Sequence, residues 1–287
     1  MTKTRRIHAL AAAFLAIASP AFAQDALIKA GDTVAFLGDS ITEGGAGHPA
    51  GYVRRVESGL EANGMKIHVV GAGISGHKSN QMLERLDRDV LKKKPTWMTL
   101  SCGVNDVWHG ANGVPLPEYK KNITEIVDKA QAAGIKVMLL TSTVIGEDLD
   151  NANNAKLKEY NDFLRTLAKE KNCRFADLNA DMQAILKDKK SKELRLTSDG
   201  VHMNPLGDRV MAAGILKEFG LNPKQLETAN DHWYHAPKTC QLNGEIKLSL
   251  KQYEQLQDLA DSKGVSLHAL VQEEASKAVL KLIEPAK

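Results

Sequence analysis

From Val34 to about Phe219, short apolar runs alternate with amphipathic stretches of helical period, and that alternation confines the chain to few architectures. Val34–Leu37, Ile67–Val70, Trp97–Cys102, Val137–Leu140 and Arg174–Asp177 read as strands. Each is followed by a helical pattern, over 52–61, 80–93, 118–133, 155–171 and 181–188. A last helix runs from Pro205 to about Phe219, with Asn204 as its N-cap and Pro205 at its first position. Repeated strand–helix alternation predicts an α/β fold whose five-stranded parallel sheet is covered on both faces. Right-handed crossovers then bring every strand-to-helix loop to one edge of the sheet.

Residues 1–23 stand apart from this pattern. Lys3, Arg5 and Arg6 precede an apolar run over 9–18, and Ala21-Phe22-Ala23 forms an A-x-A site before Gln24. The segment is expected to be a secretory signal peptide cleaved near Ala23/Gln24, which places the mature chain in the periplasm or outside the cell. Arg5-Arg6 is a weak match to twin-arginine export. No later stretch is long and apolar enough for a membrane span. The 38 basic and 35 acidic residues become 35 of each without that segment, so global charge offers no basis for binding nucleic acid. Cys102, Cys173 and Cys240 are too few for a disulfide scaffold, and three unpaired thiols are expected.

Four loops on the predicted edge carry suggestive residues: Gly38-Asp39-Ser40, the stretch 71–76, Gly103-Val104-Asn105-Asp106, and Asp199-Gly200-Val201-His202. Together they suit acyl transfer. A serine hydroxyl needs a base within hydrogen-bond reach, and a histidine oriented by an acid can serve. Ser40 is the candidate nucleophile, His202 the base and Asp199 its partner, three positions away on one loop. Backbone N–H groups of Ser40 and Gly76 and the side-chain amide of Asn105 are candidate donors to a tetrahedral oxyanion. Asp39 and Asp106 read as loop braces. Trp108 and His109 are candidates for the pocket mouth, and His48 and His77 lie in the other loops of this edge. No metal ligand set or cofactor is expected.

These four blocks resemble, in order, the signature blocks of the GDSL-type SGNH hydrolases. The resemblance implies a flavodoxin-like αβα sandwich and an esterase, lipase, thioesterase or carbohydrate deacetylase activity. It assigns Ser40, Asp199 and His202 to catalysis, and Ser40, Gly76 and Asn105 to the oxyanion hole. Ile41 stands where the family name implies leucine, and Gly71 where many members carry asparagine. Export and the overall resemblance to secreted polysaccharide-active members favour acetyl esters of carbohydrates, with lipid esters and thioesters as alternatives. The expected partner is thus a small-molecule or polysaccharide ester.

Gly71-x-Gly73-x-x-Gly76 is also a literal dinucleotide-binding fingerprint, which favours an NAD(P)-dependent oxidoreductase. The acid expected about 20 residues later is missing, since that region reads Lys92-Lys93-Lys94-Pro95-Thr96. That reading leaves Ser40, Asn105 and the Asp199–His202 pair without a role.

After Gly220 the composition changes. The hydrolase domain is expected over 24–220, a linker over 221–244 and an appendage over 245–287. The alternation of Ile246, Leu248 and Leu250 and two helical patterns split by Gly264 resemble a ribbon-helix-helix module, and a plain helical hairpin fits the spacing as well. Such modules dimerise, so a homodimer through 245–287 is the expected assembly. The outward residues Glu245, Lys247 and Ser249 form no basic patch for DNA.

Overall fold

The computed structural model describes residues 26–187, 195–237, 240, 246 and 248–283. Five strands form one parallel sheet: β1 (Thr33–Gly38), β2 (His68–Gly73), β3 (Trp97–Ser101), β4 (Lys136–Leu140) and β5 (Arg174–Ala176). Their spatial order is β2-β1-β3-β4-β5. β1, β3 and β4 are apolar and buried almost throughout, as strands covered on both faces must be.

The helices follow the strands in turn. α1 (Ser40–Gly47) and α2 (Tyr52–Ala62) come after β1, and α3 (Ser79–Asp89) after β2. α4 (Val104–Trp108) and α5 (Leu116–Ala132) come after β3, and α6 (Ala152–Glu170) after β4. α7 (Leu178–Leu186) and α8 (Pro205–Glu218) come after β5. The chain runs outward from β1 to β2 and then back across β1 to β3. Right-handed crossovers therefore change face at that point. α2 packs with α8 on one face, while α3, α5 and α6 pack in sequence on the other. The result is the αβα sandwich, with its switch point between the carboxyl ends of β1 and β3, where such sheets bind ligands. The core is closed by edge-to-face pairs such as Phe36–Tyr52 and Trp97–Phe219, with ring centroids 6.2 and 5.3 Å apart.

Two expectations are corrected. β2 does not end at Val70: Gly71, Ala72 and Gly73 are strand, paired with Phe36, Leu37 and Gly38 of β1. α1 lies so close to this strand that a Cβ on Gly73 would stand 2.2 Å from the backbone nitrogen of Glu43. Close helix–sheet approach accounts for the glycine there, and the stretch is no phosphate-cradling turn. The second correction concerns 221–244, expected to be a linker. Pro223–His235 is a helix, α9, with an Asn222/Gln225 capping box at its start. α9 packs on α2, burying Ala229 and Trp233, and the Trp233 indole N–H donates to the Arg55 carbonyl at 3.0 Å. Leu226, Ala229 and Trp233 have helical spacing, but three apolar positions in a polar stretch are a faint signal. The first compact unit thus runs to Cys240, not to 220.

The second unit spans Gln241–Lys287. It contains α10 (Leu250–Ser262) and α11 (Leu267–Ile283). Glu245 and Lys247 of the expected strand lie outside the described residues. Ile246 and Leu248 are in no regular element, and Leu250 is already helical because Ser249 caps α10 in a box with Gln252. Among the described residues of this unit only Ala260 and Leu270 are buried apolar groups, whereas Leu250, Tyr253, Leu280, Leu282 and Ile283 are exposed. The signal-peptide segment also lies outside the described residues. Cys102, Cys173 and Cys240 are all free, and Cys240 is exposed.

Candidate active site

Ser40 is the first residue of α1, directly after β1. Asp39 caps that helix, its Oδ1 accepting from the Ile41 N–H at 3.0 Å. The first N–H groups of a helix have no partner within it, so the Ser40 amide is available where the hydroxyl stands. His202 comes from the other end of the domain. It sits on the loop before α8, and its Nε2 lies 2.9 Å from Ser40 Oγ across 162 positions of chain. Its Nδ1 is 2.7 Å from Asp199 Oδ2, while Asp199 Oδ1 accepts from the backbone N–H groups of Val201 and His202 at 2.9 and 2.8 Å. Burial alone would raise the Asp199 carboxyl, but the bonds from the His202 ring and from these amides outweigh it and hold it below its ordinary value.

Two more features hold that loop. Gly146 donates to the Gly200 carbonyl at 2.7 Å. Glu147 Oε1 accepts from the amides of Leu196 and Thr197 and from the Thr197 hydroxyl, and its Oε2 accepts from the Arg195 amide, all at 2.7–2.9 Å. One carboxylate on the loop after β4 thus binds the base of the loop that carries Asp199 and His202.

The other two donor candidates are brought to the same edge. Gly76 adopts φ +75°, a backbone conformation that favours glycine. Its loop is tied to β1 by the bond from the Ile74 N–H to the Gly38 carbonyl, 3.2 Å, and to α1 by Glu43, whose Oε2 accepts from the Ser75 amide at 2.8 Å and from the Ser75 hydroxyl. Asn105 is buried at the start of α4. Its Nδ2 donates to the His77 carbonyl at 3.2 Å, leaving the second N–H of that amide uncommitted to this bond, and its Oδ1 faces His109 Nε2 at 3.2 Å. His109 therefore belongs to the site's surroundings, and Trp108 beside it is half exposed. His48 follows the end of α1 and caps it, its N–H donating to the Gly44 carbonyl at 2.9 Å.

Behind these groups is a buried acidic pair. Asp106 Oδ1 accepts from the Ser79 amide at 3.0 Å and its hydroxyl at 2.6 Å, bracing β3's loop against α3. Burial raises the Asp106 carboxyl against those bonds. Burial likewise lifts Asp39 from its ordinary 3.8 to about 6, opposed by the Ile41 amide and reinforced by Asp106. Both are the loop braces the sequence suggests. Among the described residues no group of three or more His, Cys, Asp or Glu is placed to hold a metal ion.

A hydroxyl bonded to an imidazole that is bonded to a carboxylate is an arrangement for nucleophilic acyl transfer. The comparisons with known proteins agree with that chemistry. The chain belongs to the GDSL-like lipase/acylhydrolase family, which it matches over residues 36–210, and it is a serine-type carboxylic ester hydrolase. It is 28% identical over 212 residues to an acetylxylan esterase of Geobacillus stearothermophilus, covering 67% of this chain and 96% of that one. It is 33% identical over 112 residues to esterase TesA of Pseudomonas aeruginosa, 39% of this chain and 54% of the other. Among solved structures, an acetyl xylan esterase, AlAXEase, superposes with a TM-score of 0.61 at 34% identity over 64% of this chain and 98% of its own. No helix among the described residues is long and apolar enough to cross a membrane.

Proposed function

We propose that Ser40 is the nucleophile of a secreted esterase that removes short acyl groups, acetyl above all, from carbohydrate esters. The observation that carries this reading is the bonded series Ser40 Oγ–His202 Nε2 and His202 Nδ1–Asp199 Oδ2, at 2.9 and 2.7 Å. His202 takes the hydroxyl proton as Oγ attacks the ester carbon. The new oxyanion is received by the N–H groups of Ser40, Gly76 and Asn105. Collapse breaks the bond to the alcohol, which leaves with the proton from His202. Water then adds to the acyl-enzyme through the same base, releasing the acid and restoring Ser40. Asp199 holds the imidazole in the tautomer with its proton on Nδ1 and supports the imidazolium.

The acetyl-carbohydrate preference is supported by the acetylxylan esterases, which align over nearly their whole length. Solved variants of the Geobacillus enzyme described as catalytic replace a serine in one case and an aspartate in another with alanine. A p-nitrophenyl ester series from C2 to C12, with acetylated xylo-oligosaccharide as second substrate, tests the reading. Wild type is expected to be fastest on C2 and to release acetate from the oligosaccharide, and Ser40→Ala to lose activity by about 10³-fold or more. Unchanged turnover in Ser40→Ala overturns the mechanism, and fastest turnover at C12 moves the substrate to lipid esters.

Two further parts of the reading rest on the chain's ends. Residues 1–23 fit an export signal, so the mature protein is expected to begin at Gln24 by mass spectrometry. The exposed apolar residues of α10 and α11 support pairing of two copies through 245–287. Ala260 and Leu270 are the buried apolar residues of this unit among those described, a small core for a unit to stand on alone. Deleting 245–287 is expected to halve the mass seen by light scattering while leaving ester turnover in place, and an unchanged mass rejects the pairing.

A further inference from the structure

We propose that Arg85 and His77 are positioning residues that hold the donors of Gly76 and Asn105 in register with Ser40, an inference that rests on the hydrolase reading above. Arg85 lies on the buried face of α3 beside Met82 and Leu86, and only 4% of its side chain is accessible. Its Nη2 donates to the Gly38 carbonyl at 2.7 Å, two residues before Ser40. Its Nη1 donates to the Ala72 carbonyl at 2.8 Å and to Asp89 Oδ2 at 3.0 Å. Its Nε donates to His77 Nδ1 at 3.2 Å. One planar fork therefore binds the carboxyl ends of β1 and β2 and both flanks of the loop 73–76, Ala72 before it and His77 after it. Rigid multipoint donation of this kind is what a guanidinium offers and an ammonium does not.

His77 passes the constraint on. Gly76 is its neighbour in the chain, and its own carbonyl accepts the Asn105 amide at 3.2 Å. Because Nδ1 accepts from Arg85, the ring is the neutral tautomer with its proton on Nε2. Burial, and then the Arg85 charge, hold the ring below its ordinary pKa, which keeps that acceptor in place. Asp89 holds the outer edge of the fork and is itself shared with Arg88, whose Nε is 2.6 Å from Asp89 Oδ1.

A merely structural ion pair predicts a different result, because it changes how many molecules fold and not how fast each folded one turns over. The test uses Arg85→Lys and His77→Ala in the full chain, with p-nitrophenyl acetate as substrate and active sites counted by a covalent organophosphonate. Arg85→Lys keeps the charge and loses the fork. It is expected to lower kcat per counted site by about 10- to 100-fold while KM moves by less than about threefold. His77→Ala is expected to lose about 3- to 10-fold, and the double variant no more than Arg85→Lys alone, since both act through one unit. A kcat per counted site within about twofold of wild type in Arg85→Lys overturns the proposal. If that variant does not fold, His77→Ala, which leaves the guanidinium in place, decides by the same criterion. Ser40→Ala run in parallel separates the readings: its retained activity removes the nucleophile assignment, whereas a dead Ser40→Ala with an unaffected Arg85→Lys removes only this inference.

Discussion

Asp39 is held in a charge state that its own fold resists. Its folded pKa of about 6 lies above the ordinary 3.8, so between those values the folded chain binds the proton more strongly than the unfolded chain does. Stability from this group is therefore greatest in acid and declines as pH rises from about 4 through 6. Asp39→Asn keeps an oxygen for the Ile41 amide and removes the buried charge. Its melting temperature relative to wild type is expected to improve from pH 4.5 to pH 8, and a constant or opposite difference contradicts the assignment of burial as the dominant cause. Asp199 has the opposite sign: its depressed carboxyl contributes fully at neutral pH and loses that contribution as pH falls through the folded value. Asp199→Asn at neutral pH is expected to cut kcat by about 10²-fold or more with KM little changed, because the amide favours the wrong imidazole tautomer. Ser40, Asp199 and His202 were legible as residues because each lies in a short local motif, a serine after an apolar strand and an acid three positions before a histidine. Arg85 was not, although a lone arginine between Met82 and Leu86 on an apolar helical face is a trace of its burial. Its partners Gly38 and Ala72 lie 47 and 13 positions away, which no local pattern encodes.

At the scale of elements, the stretch 195–204 that leads into α8 is fixed by a carboxylate from the loop after β4. Glu147 reaches 48 to 50 positions ahead to bind the amides of Arg195, Leu196 and Thr197. Burial favours its neutral form, but those amides and the Thr197 hydroxyl outweigh it and keep the carboxyl below its ordinary value. Its latch is therefore complete at neutral pH and opens as pH falls through that depressed value. Glu147→Gln leaves one acceptor oxygen and turns an N–H toward a donor. It is expected to lower kcat by about 10-fold at pH 7, to weaken the wild type's acid-side loss of activity, and to speed proteolysis within 195–204. A variant with wild-type kcat and cleavage rate shows that the loop stands without the latch. The strand–helix alternation was legible because unbroken apolar runs give way to stretches of period 3.6 along the chain, and the ends of α2 and α8 agree with it within a residue or two. β2 was read three residues short because Gly71 and Gly73 mimic a turn, while their real constraint is the proximity of α1. α9 was read as linker because its apolar stripe is one side chain per turn.

For the molecule as a whole, α9 matters more than its position after the last core helix suggests. Trp233 is 6% exposed and bonded to the carbonyl of Arg55, on α2, the helix after the one that begins at Ser40. Trp233→Ala removes a buried indole, which costs about 3 kcal/mol and lowers Tm by about 6–12 °C in a domain of this size. A shift below about 2 °C in scanning calorimetry shows that α9 is dispensable. The family match over 36–210 ends before that helix, so its contribution was found only in three dimensions. The 162-position separation between Ser40 and His202 has a consequence in time. The Ser40 hydroxyl and the His202 imidazole can meet only in a chain that has been completed past the start of the last core helix. A chain clipped before His202 keeps the serine and lacks the imidazole, and it is expected to show no ester turnover.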